Sequence, residues 1–158
     1  MNVVAEPSDP GVAIAPLASG TRRVIVLYER CRSGAATLHE AAELAGPDGE
    51  VAVVTLAPQA RRTGCVRCGE VGPYNRAIRE EAHLELGEAR EILGSAADRA
   101  TFKVLIERRD PPLTTWVSEQ GFDVVLLPGR RLTLGGNPIA RKLRRTSGPE
   151  IRVVGEQQ

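Results

Sequence analysis

Three short apolar runs constrain this chain more than any other feature: RVIVLY at 23–28, VAVVTL at 51–56 and DVVLL at 123–127. Each is too short for a buried helix, rich in β-branched residues, and free of the alternation expected of a half-solvated strand. Each therefore reads as a parallel strand covered on both faces. Between the first two, Leu38, Ala41, Ala42 and Ala45 recur at helical spacing, and GPDG at 46–49 stops the helix and turns the chain. This is one right-handed βαβ unit, since a parallel neighbour is reached through a crossover over one face of the sheet.

The rest of the chain repeats the pattern. Residues 57–73 hold Gly64, Gly69 and a cysteine pair with no periodicity, and read as a long loop. Over 74–97, Ile78, Ala82, Leu86, Ala89, Leu93 and Ala96 mark a long amphipathic helix, with Glu81, Glu85 and Glu88 on its solvated face. FKVLIE at 102–107 partly alternates, as an edge strand would. Residues 111–120 read as a short helix closed by Gly121, with Trp116 as a packing residue. DVVLL, the most apolar run, is expected at the centre of the sheet; residues 138–145 form the last helix and IRVV at 151–154 a final edge strand. The expected fold class is α/β: a doubly wound five-stranded parallel sheet sandwiched by four helices. With 158 residues in all, the chain has room for one such domain over 22–158, preceded by a flexible arm at 1–21 that carries Pro7, Pro10, Gly11, Pro16 and Gly20.

Composition excludes several classes of function. The five aromatic residues are scattered, so no base-stacking platform exists, and a net charge of +1 gives no reason to expect a nucleic acid partner. No run approaches the roughly 18 apolar residues of a membrane span, so no membrane partner is expected. The first positive charge is Arg22, unlike a secretory leader, and three cysteines are an odd count for a disulfide framework, so a cytoplasmic protein is expected. The charge is unevenly spread: residues 129–152 carry seven cations against Glu150, a net of +6, leaving −5 for the remainder.

Two places can carry chemistry. In a doubly wound sheet, ligands sit beyond the C-terminal ends of the strands, where strand order reverses. The loop after the fourth strand, PGRRLTLGG at 128–136, leads to Asn137 as N-cap and Pro138 as first helical residue. Gly129, Arg130, Arg131, Gly136 and Asn137 suit a phosphate or another small anion; the plainer reading is a glycine-rich connection with solvated arginines. The second place is Cys65-Val-Arg-Cys68, half of a zinc site or a dithiol redox pair. Cys31 lies on the same rim if the first two strands are neighbours; His39, His83, a carboxylate or a second subunit would have to complete a metal site, and the alternative is three unligated thiols. No Gly-x-Ser-x-Gly is present, and His39 and His83 fall on helices rather than strand ends, so catalytic residues are not assigned. Asp123 opens its strand at the end opposite this rim and reads as a turn residue.

In order and pattern the chain resembles the universal stress protein family over roughly 23–154. The resemblance is carried by VIVLYE at 24–29, which ends in an acid, by the long loop after the second strand, by EQGFDVVLL at 119–127 before a glycine, and by the glycine-rich loop that leads through a basic helix into IRVV. It implies a regulator or adaptor that binds ATP or another adenine nucleotide at the rim, with Glu29 at the position of an adenosine-contacting Asp and Gly129 as the first motif glycine. Leu132 stands at the second motif glycine, and Gly136-Asn137 replaces the closing Gly-Ser after a shortened spacer. Glu29 is then expected to face the base or ribose rather than the phosphates. The function expected is non-catalytic regulation through an altered nucleotide or anion site; the alternatives are a metal-binding or thiol-redox sensor at Cys31, Cys65 and Cys68, and a weak nucleotide hydrolase. A homodimer through the last strand is expected on two grounds: an unpaired strand edge, and the habit of the family. A further protein partner of unknown identity is implied by an adaptor role.

Overall fold

In the computed structural model, which describes residues 22–61, 71–129, 137–146 and 148–155, five parallel strands form one sheet in the order β3-β2-β1-β4-β5. The strands are β1 (Arg23–Leu27), β2 (Glu50–Ala57), β3 (Ala100–Ile106), β4 (Val124–Pro128) and β5 (Glu150–Val154). The helices are α1 (Gly34–Ala45), α2 (Val71–Leu93), α3 (Leu113–Gln120) and α4 (Pro138–Arg145), and a 3-10 turn at Gly94–Arg99 follows α2. The expected arm at 1–21 lies outside the described residues.

The uninterrupted apolar runs are explained by two cores, one on each side of the sheet. Along β1, Val24 and Val26 join Leu38, Ala41, Leu86 and Ala89 of α1 and α2. The alternate residues Ile25 and Leu27 join Val117 of α3 and Ala140 and Leu143 of α4. A strand with helices on both faces has no polar side, and burying each of these valine, isoleucine and leucine side chains contributes about 1.5–3 kcal/mol. At the N-terminal edge Asp123 joins three strands: its carboxylate accepts from the Arg23 N–H at 2.8 Å, its own N–H donates to the Arg23 carbonyl, and its carbonyl accepts from the Glu150 N–H.

Three expectations are corrected. The middle strand is β1, not the more apolar β4; β4 is interior and fully buried but lies one place from the β5 edge. The long helix begins at Val71, so the aperiodic stretch before it is shorter than expected. Gly72 and Pro73 obscure its start, although a proline in the first turn forfeits only an N–H that has no helical partner. The helix also ends at Leu93, where Gly94 takes φ +56° and the chain continues as the 3-10 turn.

Candidate functional site

Strand order reverses between β1 and β4, and the loops leaving their C-terminal ends diverge there. The loop after β1, residues 28–33, folds tightly. Gly34 sits so close beneath it that a Cβ would run into the Glu29 carbonyl, while the Cys31 N–H donates to that same carbonyl at 2.8 Å. Buried Ser33 precedes α1 at the N-cap position, yet its hydroxyl does not cap the helix; it crosses to donate to the Gly129 carbonyl at 3.0 Å.

Beside this junction a cleft of about 780 Å³ opens over the ends of β1, β2 and β3, a size suited to a small organic ligand. Its apolar wall includes Leu56, Ala57, Leu105, Ile106 and Ile139, and its charged lining includes Glu29, Glu85, Asp110 and Lys142. Several of the charges are already engaged. Asp110 accepts from the Ile106 N–H at 2.8 Å, and Glu107 accepts from the Gln59 N–H at 2.8 Å. Arg108, at a positive φ of 66°, donates to the carbonyls of Gln59 and Ala60. Arg30 turns to α2, where its guanidinium pairs with Glu81 and, at 2.8 Å, with Glu88. The acids of α2 are therefore not simply a solvated face: two hold the loop after β1, and Glu85 is half-buried at the cleft. Burial holds the Glu85 carboxyl above the usual carboxylate range, opposed by a hydrogen bond from the Arg30 main chain and by its positive charge, and reinforced by Glu81 and Glu29. Burial likewise raises the Tyr28 phenol, with Glu88 and Glu85 adding to it.

The residues singled out from sequence divide into two groups. Glu29 lines the cleft, and Gly129 and Asn137 lie where β4 ends and α4 begins. Gly129 has a packing role: its N–H donates to the Val154 carbonyl at 2.7 Å, and a Cβ there would lie 2.7 Å from that oxygen. Asn137 is the N-cap, with its side-chain oxygen accepting from the N–H groups of Ile139 at 2.9 Å and Ala140 at 3.3 Å. Pro138 has no N–H and that of Arg141 bonds to the Asn137 carbonyl, so the first turn of α4 is satisfied from within the chain. Arg130, Arg131, Gly136, Cys65 and Cys68 lie outside the described residues.

Cys31 is exposed and free, 3.5 Å from the Ser33 hydroxyl, on the rim beside β2 as expected. His39 and His83 are exposed. Among the described residues no group of three His, Cys, Asp or Glu side chains is placed to hold a metal, so the zinc expectation finds no support there. Trp116 packs, its ring 5.4 Å from that of Phe122. Among the described residues no helix is long and apolar enough to cross a membrane. Sequence reasoning missed Glu85, Asp110 and Lys142; the available signal for Asp110 was its place in ERRD, directly after β3 on the ligand-binding side of the sheet.

Comparison with solved structures decides the fold family. The universal stress protein UspA from Lactobacillus plantarum superposes with a TM-score of 0.68 at 8% identity, covering 85% of this chain and 97% of that one. A universal stress protein family member from Burkholderia pseudomallei gives 0.64 at 14% identity, covering 85% and 96%. The chain has the universal stress protein fold. A third structure with this fold, a universal stress protein in complex with cAMP, gives a TM-score of 0.60 at 15% identity over 84% of this chain and 96% of that one. No protein-family model matches the chain, and no curated protein matches it in sequence. The universal stress protein fold is thus shared at low overall sequence identity.

Proposed function

We propose that this protein is a non-catalytic regulator or adaptor of the universal stress protein type, acting in the cytoplasm, whose rim cleft binds an adenine nucleotide or a related small anion. The observation that carries the reading is the cleft itself: ligand-sized, beside the reversal of strand order, with an apolar wall fit for a base and with Glu29 and Lys142 both in its lining. The solved universal stress protein with cAMP lends the fold a precedent for an adenine nucleotide. Glu29 supplies an acceptor for the amino or hydroxyl groups of a nucleoside. A regulatory use fits the engagement of Asp110 and Glu107, whose carboxylates hold backbone N–H groups at the cleft mouth rather than standing ready to transfer protons.

Calorimetric titration with ATP, ADP, AMP and cAMP tests the reading, on the full chain and on Glu29→Ala and Lys142→Ala. Saturable heat is expected, weakened in both variants. No heat at millimolar ligand ends the nucleotide reading. Release of inorganic phosphate from ATP during the titration would replace the regulator with a hydrolase.

A further inference from the structure

Charge is segregated between the two helical layers. Helices α1 and α2 together carry seven acids against three arginines, a net of −4, whereas α4 carries four cations and α3 a single acid, a net of +3. All four cations of α4, Arg141, Lys142, Arg144 and Arg145, are exposed, and among the described residues none pairs with a carboxylate. Arg30, Arg23 and Arg152, by contrast, each have an acidic partner. Cations in a last turn favour the helix dipole. That accounts for Lys142, Arg144 and Arg145, but not for Arg141 or for the lack of any acid on the helix.

We infer that the outer face of α4 is a docking surface for an acidic segment of a partner protein. The face is one helix wide and about 12 Å long, which matches a short acidic helix or strand. Three of its four cations are arginines, whose forked donors pair bidentately with carboxylates. The apolar side of α4 is already spent, with Ala140 and Leu143 buried in the core, so the helix has nothing to insert into a bilayer. A duplex would extend far past this strip onto α3, which shares the layer and exposes Thr115, Ser118 and Glu119 without a cation. The acidic opposite layer repels polyanions from its own side of the molecule.

The probe is a fluorescein-labelled peptide of about twelve residues with glutamates at every third and fourth position, about 18 Å long as a helix. Binding to the full chain is followed by anisotropy at rising salt. Saturable binding that weakens with salt is expected, with a loss of about tenfold or more in Arg141→Gln/Arg144→Gln/Arg145→Gln and a smaller loss in the triple lysine variant, which keeps the charge but not the forked donors. Lys142 is left in place because it also lines the cleft, so failure here and failure of nucleotide binding are separate results. Thermal melting checks that the variants fold, and Arg141→Glu alone serves if the triple variant does not. Absence of binding, equal binding by the glutamine or glutamate variant, or tighter binding to phosphatidylserine vesicles or to a duplex of about twenty base pairs would each overturn the assignment.

Discussion

The hydroxyl of Ser33 donates to the carbonyl oxygen of Gly129 at 3.0 Å, bridging 96 residues of sequence across the point where strand order reverses. It ties the loop after β1 to the end of β4, while the Gly129 N–H is tied in turn to Val154 of β5. The ends of β1, β4 and β5 are thus linked by main-chain and hydroxyl hydrogen bonds, while the Arg30 ion pairs with Glu81 and Glu88 tie the loop after β1 to α2.

Removing that hydroxyl takes away the donor to the Gly129 carbonyl at a part-buried junction. Ser33→Ala is expected to lower stability by about 0.5–1.5 kcal/mol. Gly129→Ala should cost more, about 1–3 kcal/mol, because its Cβ would meet backbone atoms, the Val154 oxygen at 2.7 Å and the Gly155 Cα at 3.0 Å. Urea unfolding at unchanged m-value measures both; a neutral Gly129→Ala would show that β5 shifts freely.

The Glu85 carboxyl sets a pH dependence. Its titration point lies above the ordinary value of 4.5 in the folded protein, chiefly through burial. Below that ordinary value both folded and unfolded chains are protonated and its contribution is complete. As pH rises from there, the unfolded chain releases the proton first, so stability falls until the folded carboxyl has ionised too. Glu85→Gln, which is neutral at every pH, should flatten this decline and be at least as stable as the parent at neutral pH. Denaturant midpoints between about pH 4 and 8 report it; a steeper decline in the variant contradicts the assignment.

Asn137 satisfies two N–H groups that would otherwise point out of α4. Asn137→Ala should cost about 1 kcal/mol as a lost N-cap. It should also release those donors, so that added phosphate raises the melting temperature of the variant more than that of the parent. Equal phosphate shifts in both proteins would place anion binding away from the helix start.

β5 borders the sheet on the side away from β4, and Val153 is 40% exposed there. Arg152, the one charge central to the strand, is drawn to Glu150 at 2.6 Å and Glu40 at 3.9 Å, which weakens it as a guard of the edge. A homodimer pairing β5 with β5 is expected by light scattering, and Val153→Pro, which removes a ladder donor, should yield monomer. A dimer indifferent to Val153→Pro places the interface elsewhere. A full-length monomer that dimerises only once residues 1–20 are removed would mean that the arm covers the edge.

Sequence alone determined the class of fold, because burial on both faces leaves a direct record: RVIVLY and DVVLL have no polar alternation, and Leu38, Ala41, Leu86, Ala89 and Leu93 keep helical spacing toward one core. It also determined Asn137 as a cap and β3 and β5 as edges, since capping and half-burial depend on near neighbours and local pattern. Which strand lies in the middle was decided by tertiary structure, because any interior strand, β1 or the more apolar β4, is buried on both faces and strand order depends on the sense of each crossover. The cleft is likewise a tertiary product. Glu29, Glu85 and Lys142 are separated by whole elements and meet only because three strand ends and α4 converge. Arg30 on Glu81 and Glu88, and Ser33 on Gly129, join residues with no shared period, so nothing in the linear pattern marks them.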